Sequence, residues 1–305
     1  MMTPRIEEPL ADAASWADWF RGQIPTLPLL RQSKRKIDEE ATHATEINLH
    51  QLAEVVIGDP LLTLRTLVQL QQSKKGETRE LTSITSALMM LGIQPFLHQI
   101  HALPTVESAL ADQPVALKWL LSRVARARKA AHYAHDWAVL RRDINAEEVT
   151  VAALLYEINE ILLWLFAPKL MFLMLSLRKR FPDHPIEVLQ RKVFNTTDLE
   201  LRDAAIARFN LPTILKELMN PQNAENPRTR TVLLATRLAR HLSRKGWQHP
   251  KLEADIEAIE QLVHLNRELL LRRLDAPYEV WPRFGVPVPP TSESKDHPTK
   301  GNETQ

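Results

Sequence analysis

The chain contains no cysteine, so it can build no disulfide framework, no thiolate metal site and no thiol nucleophile. Only seven glycines occur in 305 residues. Globular proteins average about 7% glycine, and this shortage argues against hairpin-rich sheets and glycine-rich phosphate cradles. Neither a G-x-G-x-x-G run nor a Walker-type run is present. Charge of one sign is not in excess either. Lysine and arginine number 39 against 37 aspartates and glutamates, and a net charge of +2 does not by itself imply nucleic acid. The opening stretch MMTPRIEEPLADAASW lacks a basic segment followed by an apolar one, so no signal peptide is expected. Apolar runs are broken by charge or proline short of the roughly 18 residues that span a bilayer, so no membrane span is expected. These absences fit a cytoplasmic protein.

Apolar residues make up 44% of the chain, enough for a sizeable core in one large or two smaller domains. Nearly every segment carries the 3.6-residue period, so the expected class is all-α. Residues 11–21 place Trp16, Trp19 and Phe20 at helical spacing, a docking helix for a segment 1–23. Residues 24–28 are expected to be extended, because a residue before proline avoids the helical region. A charged helix over 29–40 follows. Asn48 caps 49–57, with Gln51 in the capping-box position. Gly58, Asp59 and Pro60 form a stop-start signal. A helix with Leu61, Leu64, Leu67 and Val68 on one face then runs to a loop at 73–79 containing Gly76. Thr82 or Ser83 opens the next helix, Gly92 closes it, and 93–102 completes a first half, 24–104.

The second half, 105–245, opens with a helix over 115–140 whose outer face carries Arg123, Arg126 and Lys129. Residues 145–168 are read as one helix, capped by Asn145 with Glu148 in the capping-box position and stopped by Pro168. Tyr156, Glu157, Asn159 and Glu160 are the polar members of its second half. They fall within an arc of about 160°, and the rest of the circumference must be covered by neighbours. Leu155, Ile158 and Leu162 are therefore expected in the core. Glu157 and Glu160 are expected to line a polar groove or to bond arginine or lysine from a neighbouring helix. Thr197 and Glu200 form a capping box, and Asn210-Leu-Pro212 breaks the chain. Residues 231–243 make an Arg-rich amphipathic helix, and shorter helices close 246–275. From 276 to 305 the proline-rich, polar composition predicts a disordered tail, with Tyr278, Val280, Trp281 and Phe284 as the residues able to dock back.

The order of these signals resembles the HDOD family, the HD-related output domain. Ile57-Gly-Asp-Pro60-Leu-Leu-Thr63, then Ile84-x-x-Ala87-x-x-x-Leu91-Gly92, resembles its N-terminal half. Trp119-Leu-Leu-Ser122-Arg-Val-Ala125 looks like the opening of its HD-like half, and Arg208-Phe-Asn-Leu-Pro212 like its later Leu-Pro break. The resemblance spans roughly residues 24–243. It implies an N-terminal helical subdomain packed on an HD-like bundle, within a bacterial signalling output module related in fold to metal-dependent phosphohydrolases.

The same resemblance puts the His-Asp pair of a catalytic HD domain on Tyr156 and Glu157, and two further ligand histidines near Leu121 and Asp198. Leucine cannot ligate a metal, and one glutamate without histidine partners holds no catalytic metal. No metal or cofactor is therefore expected, and the protein is read as non-catalytic, acting by binding a signalling protein or a small ligand. A residual HD-type nucleotide phosphohydrolase is the alternative. A nucleic-acid-associated regulator using Arg123, Arg126, Lys129, Arg237, Arg240 and Arg244 is another. His132-x-x-His135-Asp136 and His98-x-x-His101 have ligand-like spacing, but two ligands do not close a site.

Overall fold

The computed structural model describes residues 3–43, 48–73 and 83–288. Gly76 and most of the expected loop at 73–79, Thr82, and tail residues 289–305 lie outside the described residues. Among the described residues the regular structure is helical, with a single isolated bridge between Leu29 and Thr105.

The N-terminal half packs five helices, Arg31–His43, Leu49–Ile57, Pro60–Ser73, Ile84–Leu91 and Ile93–His101. Asp59 organises their junction. It is fully buried, and its carboxylate accepts the amides of Leu61 and Leu62 at the start of one helix and that of Leu30 at 2.8 Å before another. Asn48 and Ser83 cap as expected, their side chains accepting amides of the first turn. The 24–28 stretch differs from its expectation. Ile24–Thr26 forms a 3-10 turn, with Pro25 where a missing N–H is harmless and the buried Arg65 guanidinium donating to the Ile24 carbonyl at 2.8 Å.

In the second half the long helix Pro114–Leu140 packs against both Ala146–Leu155 and Pro227–Lys245. Trp119 and Trp164 stack at 5.7 Å with ring planes 4° apart. The first helix, Ala13–Gln23, docks on this half, against Asp198–Arg208. Trp16 and Phe20 are fully buried there, and the Trp16 indole donates to the Phe194 carbonyl at 2.8 Å.

Two further expectations are corrected. The single helix over 145–168 is two helices, Ala146–Leu155 and Ile158–Phe166, interrupted at Tyr156 and Glu157. Asn145 does not cap through its oxygen; its side-chain amide donates to Glu148 at 2.8 Å, while Arg228 holds the other Glu148 oxygen. The stretch Ala146–Phe166 has the length and apolarity of a membrane span, mean hydropathy 1.6, but 94% of its most apolar window is buried inside the protein. Leu155, Ile158 and Leu162 are core residues.

The tail is also corrected over residues 276–288. Tyr278–Phe284 forms a 3-10 segment with Trp281 and Phe284 buried, and the Trp281 indole donates to the Ala276 carbonyl at 3.0 Å. Aromatic burial, invisible to a search for helical period, holds this segment down.

Candidate functional site

Four elements converge where the resemblance puts the metal centre. Pro114–Leu140 supplies Arg123 and Arg126, the helix interruption supplies Tyr156 and Glu157, and Asp198–Arg208 supplies Asp198 and Arg202. Pro227–Lys245, started by the Asn226 cap, supplies Arg240. The Thr197–Glu200 capping box fixes the start of the Asp198 helix, as the sequence predicts.

Glu157 lies at the centre, 5% exposed. One carboxylate oxygen accepts from Arg126 Nε, and the other from Arg240 Nε at 3.0 Å and Nη2 at 2.8 Å. Arg126 reaches on to Glu160 through Nη2 at 2.7 Å, and Arg123 Nε donates to the other Glu160 oxygen. Burial opposes the Glu160 charge, but Arg123 and Arg126 outweigh it and hold its carboxyl below the usual range. Burial likewise works against the Arg240 charge, and Glu157 overcomes it, with Asp198 and Glu160 adding to the effect. The Arg202 guanidinium lies 3.9 Å from the Tyr156 ring centre and bonds Asp198. The result is a chain of alternating charges, buried at Arg126, Glu157 and Arg202 and half-buried at Glu160, Asp198 and Arg240.

Three of the four positions matched to HD ligands therefore meet, Tyr156, Glu157 and Asp198. Leu121 does not join them. It is half-buried against the core, and at about 100° per residue it stands roughly 140° around its helix from Arg126. The expectation that Glu157 and Glu160 bond a neighbouring helix holds. The expectation of an outer basic face does not. Arg126 is buried and Arg123 nearly so, both drawn inward by these carboxylates. Arg240 is spent on Glu157, and Arg237 on the buried Asp255 at 2.7 Å. Lys129 and Arg244 remain exposed. The surrounding protein partly desolvates Arg244 and lowers its pKa, and the neighbouring Arg240, Arg126 and Arg178 lower it further. Arg202 carries no motif of its own; its i,i+4 spacing from Asp198 was the available signal.

This donor set does not fit a catalytic metal. The Glu157 lone pairs are turned toward N–H donors, no histidine takes part, and Leu121 offers no ligand. Among the described residues no group of three or more His, Cys, Asp and Glu side chains is arranged to hold a metal ion. One histidine of each other pair is engaged elsewhere. His101 faces Asp38 at 3.0 Å, an acidic partner that the spacing of its own helix did not reveal. Asp136 pairs with Arg273, and His135 Nδ1 meets the Thr150 hydroxyl at 3.2 Å.

A second feature is an open cleft of about 650 Å³ at the junction of the two halves. Helices Arg31–His43 and Leu49–Ile57 form one side, and Pro114–Leu140 and Ala146–Leu155 the other.

The HDOD domain pattern matches residues 27–225. In structure the chain is similar to the MmoQ response regulator of Methylococcus capsulatus, with a TM-score of 0.63 and 18% identity over 83% of this chain and 98% of that one. It is similar to a virulence factor from Campylobacter jejuni, with a TM-score of 0.63 and 17% identity over 86% of this chain and 95% of that one. At these identities the likeness is one of fold. No protein of curated function matches the chain in sequence.

Proposed function

The chain belongs to the HDOD domain family over residues 27–225, and from that premise we propose that it is a non-catalytic output module of a cytoplasmic bacterial signalling system, working by binding. One observation carries this reading. Both oxygens of Glu157, the most buried carboxylate at the position matched to the HD centre, are taken by Arg126 and Arg240. A guanidinium balances buried negative charge as a metal would, but it activates no water and polarises no phosphoryl group at this position. The nucleic-acid alternative is weakened by the same pairing, because Arg123, Arg126, Arg237 and Arg240 are committed to carboxylates. The likeness in fold to the Methylococcus response regulator supports a signalling context.

The test has two arms. Protein incubated with Mn or Fe is assayed for hydrolysis of phosphodiesters and nucleotides, and no turnover above buffer is expected. The intact chain is used to capture partners from native cells, with mass-spectrometric identification; a kinase, cyclase or receiver protein is expected. Turnover abolished by Glu157→Ala would sink the reading, and capture of salt-sensitive DNA or RNA in place of protein would favour the nucleic-acid alternative.

A further inference from the structure

The cleft between the two halves takes no part in the reading above. Several partly or fully buried arginines are matched to carboxylates, as Arg126 is to Glu157, Arg228 to Asp143 and Glu148, and Arg267 to Glu260. Others donate to neutral acceptors, as the buried Arg65 does to the Ile24 carbonyl. Arg128, which lines the cleft, is of the second kind. It donates through Nε to the Gly58 carbonyl and through Nη1 to Gln32 Oε1 at 3.3 Å, and among the described residues no carboxylate accepts from it. The nearby buried acid, Asp59, is already occupied by the amides of Leu30, Leu61 and Leu62. His132, one turn beyond Arg128 on the same helix, has no hydrogen-bond or ion-pair partner among the described residues, and neither has Lys36 on the facing helix Arg31–His43.

The other two helices contribute acceptors. Glu54 lies 3.5 Å from His50, and Glu147 accepts the Ile84 amide. Burial raises the Glu147 carboxyl above its usual range, so a hydrogen-bond donor from a ligand is better accommodated beside it than a second anion. Thr150 gives its hydroxyl hydrogen to the Ala146 carbonyl, so it accepts from His135 Nδ1. That leaves His135 Nε2 as a further acceptor on the neutral ring. Val55, Ile57 and Ala131 supply apolar surface. The cavity lies within the roughly 300–1,000 Å³ range of small-ligand sites.

We propose that this cleft binds a small phosphate ester of mononucleotide size, its phosphate held by Lys36, Arg128 and His132, and its donor groups received by Glu54 and Glu147. Arg128 Nη2, unengaged among the described residues and in a cleft that Lys36 and His132 also line, suits a tetrahedral oxyanion, for which a guanidinium fork and an ammonium are complementary donors. A ligand so held touches helices of both halves. The site is separate from the Glu157 cluster, so its failure leaves the output-module reading standing.

Titration calorimetry on the full chain tests this, with AMP and GMP as probes and inorganic phosphate as control. Saturable 1:1 binding of at least one nucleotide is expected, with inorganic phosphate at least about tenfold weaker. Lys36→Glu should weaken binding by at least about tenfold while leaving the unliganded melting temperature unchanged, because the lysine is exposed and unpaired. His132→Ala serves as a second variant with the same expected loss. No binding at millimolar nucleotide overturns the proposal. So does binding that both variants leave intact, or inorganic phosphate binding as tightly as the nucleotides.

Discussion

Glu157 is a carboxylate with almost no access to water and three N–H donors aimed at it. Exposed at the surface, such a residue could be changed to glutamine at a cost under about 1 kcal/mol. Here the substitution leaves the buried Arg126 and the half-exposed Arg240 short of charge, and Glu157→Gln should destabilise the protein by about 3 kcal/mol, the low end for a broken buried pair, read from denaturant unfolding. A second variant, Arg126→Met, combined with Glu157→Gln should cost less than the sum of the two singles, because each relieves the charge the other strands. Glu160 gives the same cluster a pH dependence. A carboxyl held below its usual range in the folded protein adds stability above that range, and the contribution disappears as pH falls through the folded value. Wild-type protein should therefore lose melting temperature on acidification below about pH 4.3 more steeply than Glu160→Gln.

At the scale of elements, the local signals were legible and the long-range ones were not. Gly58-Asp59-Pro60, the Asn48 and Ser83 caps and the Thr197–Glu200 box each act within a few residues, so sequence alone places them. The partners of Glu157 are 31 and 83 residues away. The sequence could ask for arginine or lysine from a neighbouring helix but not say which. The helix interruption at Tyr156 and Glu157 was missed because the apolar period runs through it unbroken. It falls at the residue that guanidiniums on two different helices grip, and departures from a helix are characteristic where side-chain contacts override the ladder. The segment 276–288 was missed for the opposite reason. Its 3-10 turn, with Pro282 inside, has no 3.6-residue period to detect, yet it buries Trp281 completely. Trp281→Ala should cost about 3–5 kcal/mol, and truncation after Leu274 should lower the melting temperature by more than a few degrees. Scanning calorimetry that finds either change silent would mean that the segment does not pack in solution.

For the whole molecule, helix Pro60–Ser73 of the first half packs on Pro114–Leu140 and Ala146–Leu155 of the second, helices 31–43 and 49–57 face the same pair across the cleft, and the N-terminal helix Ala13–Gln23 crosses over to pack on the later half. The all-α architecture is that of the HDOD family, as the resemblance implies. With guanidiniums in the charge-balancing role, the purified protein should carry no stoichiometric Fe, Mn or Zn by elemental analysis. One metal ion per chain, lost in Glu157→Ala, would contradict that.

The pairing of Glu157 with Arg126 and Arg240 also governs which mutational paths are open to the lineage. Putting aspartate at position 157 shortens the side chain by one methylene and withdraws it from arginines on two different helices. Putting histidine at 156 replaces the phenol ring against which Arg202 rests with a smaller imidazole that repels the guanidinium when protonated. Each step toward a metal-binding sequence should thus pass through a less stable chain unless changes at positions 126 and 240, for residue 157, or at 202, for residue 156, arrive with it. Under selection for folding alone, substitution at these positions should be disfavoured relative to exposed ones, so the cluster opposes the stepwise appearance of a metal site there.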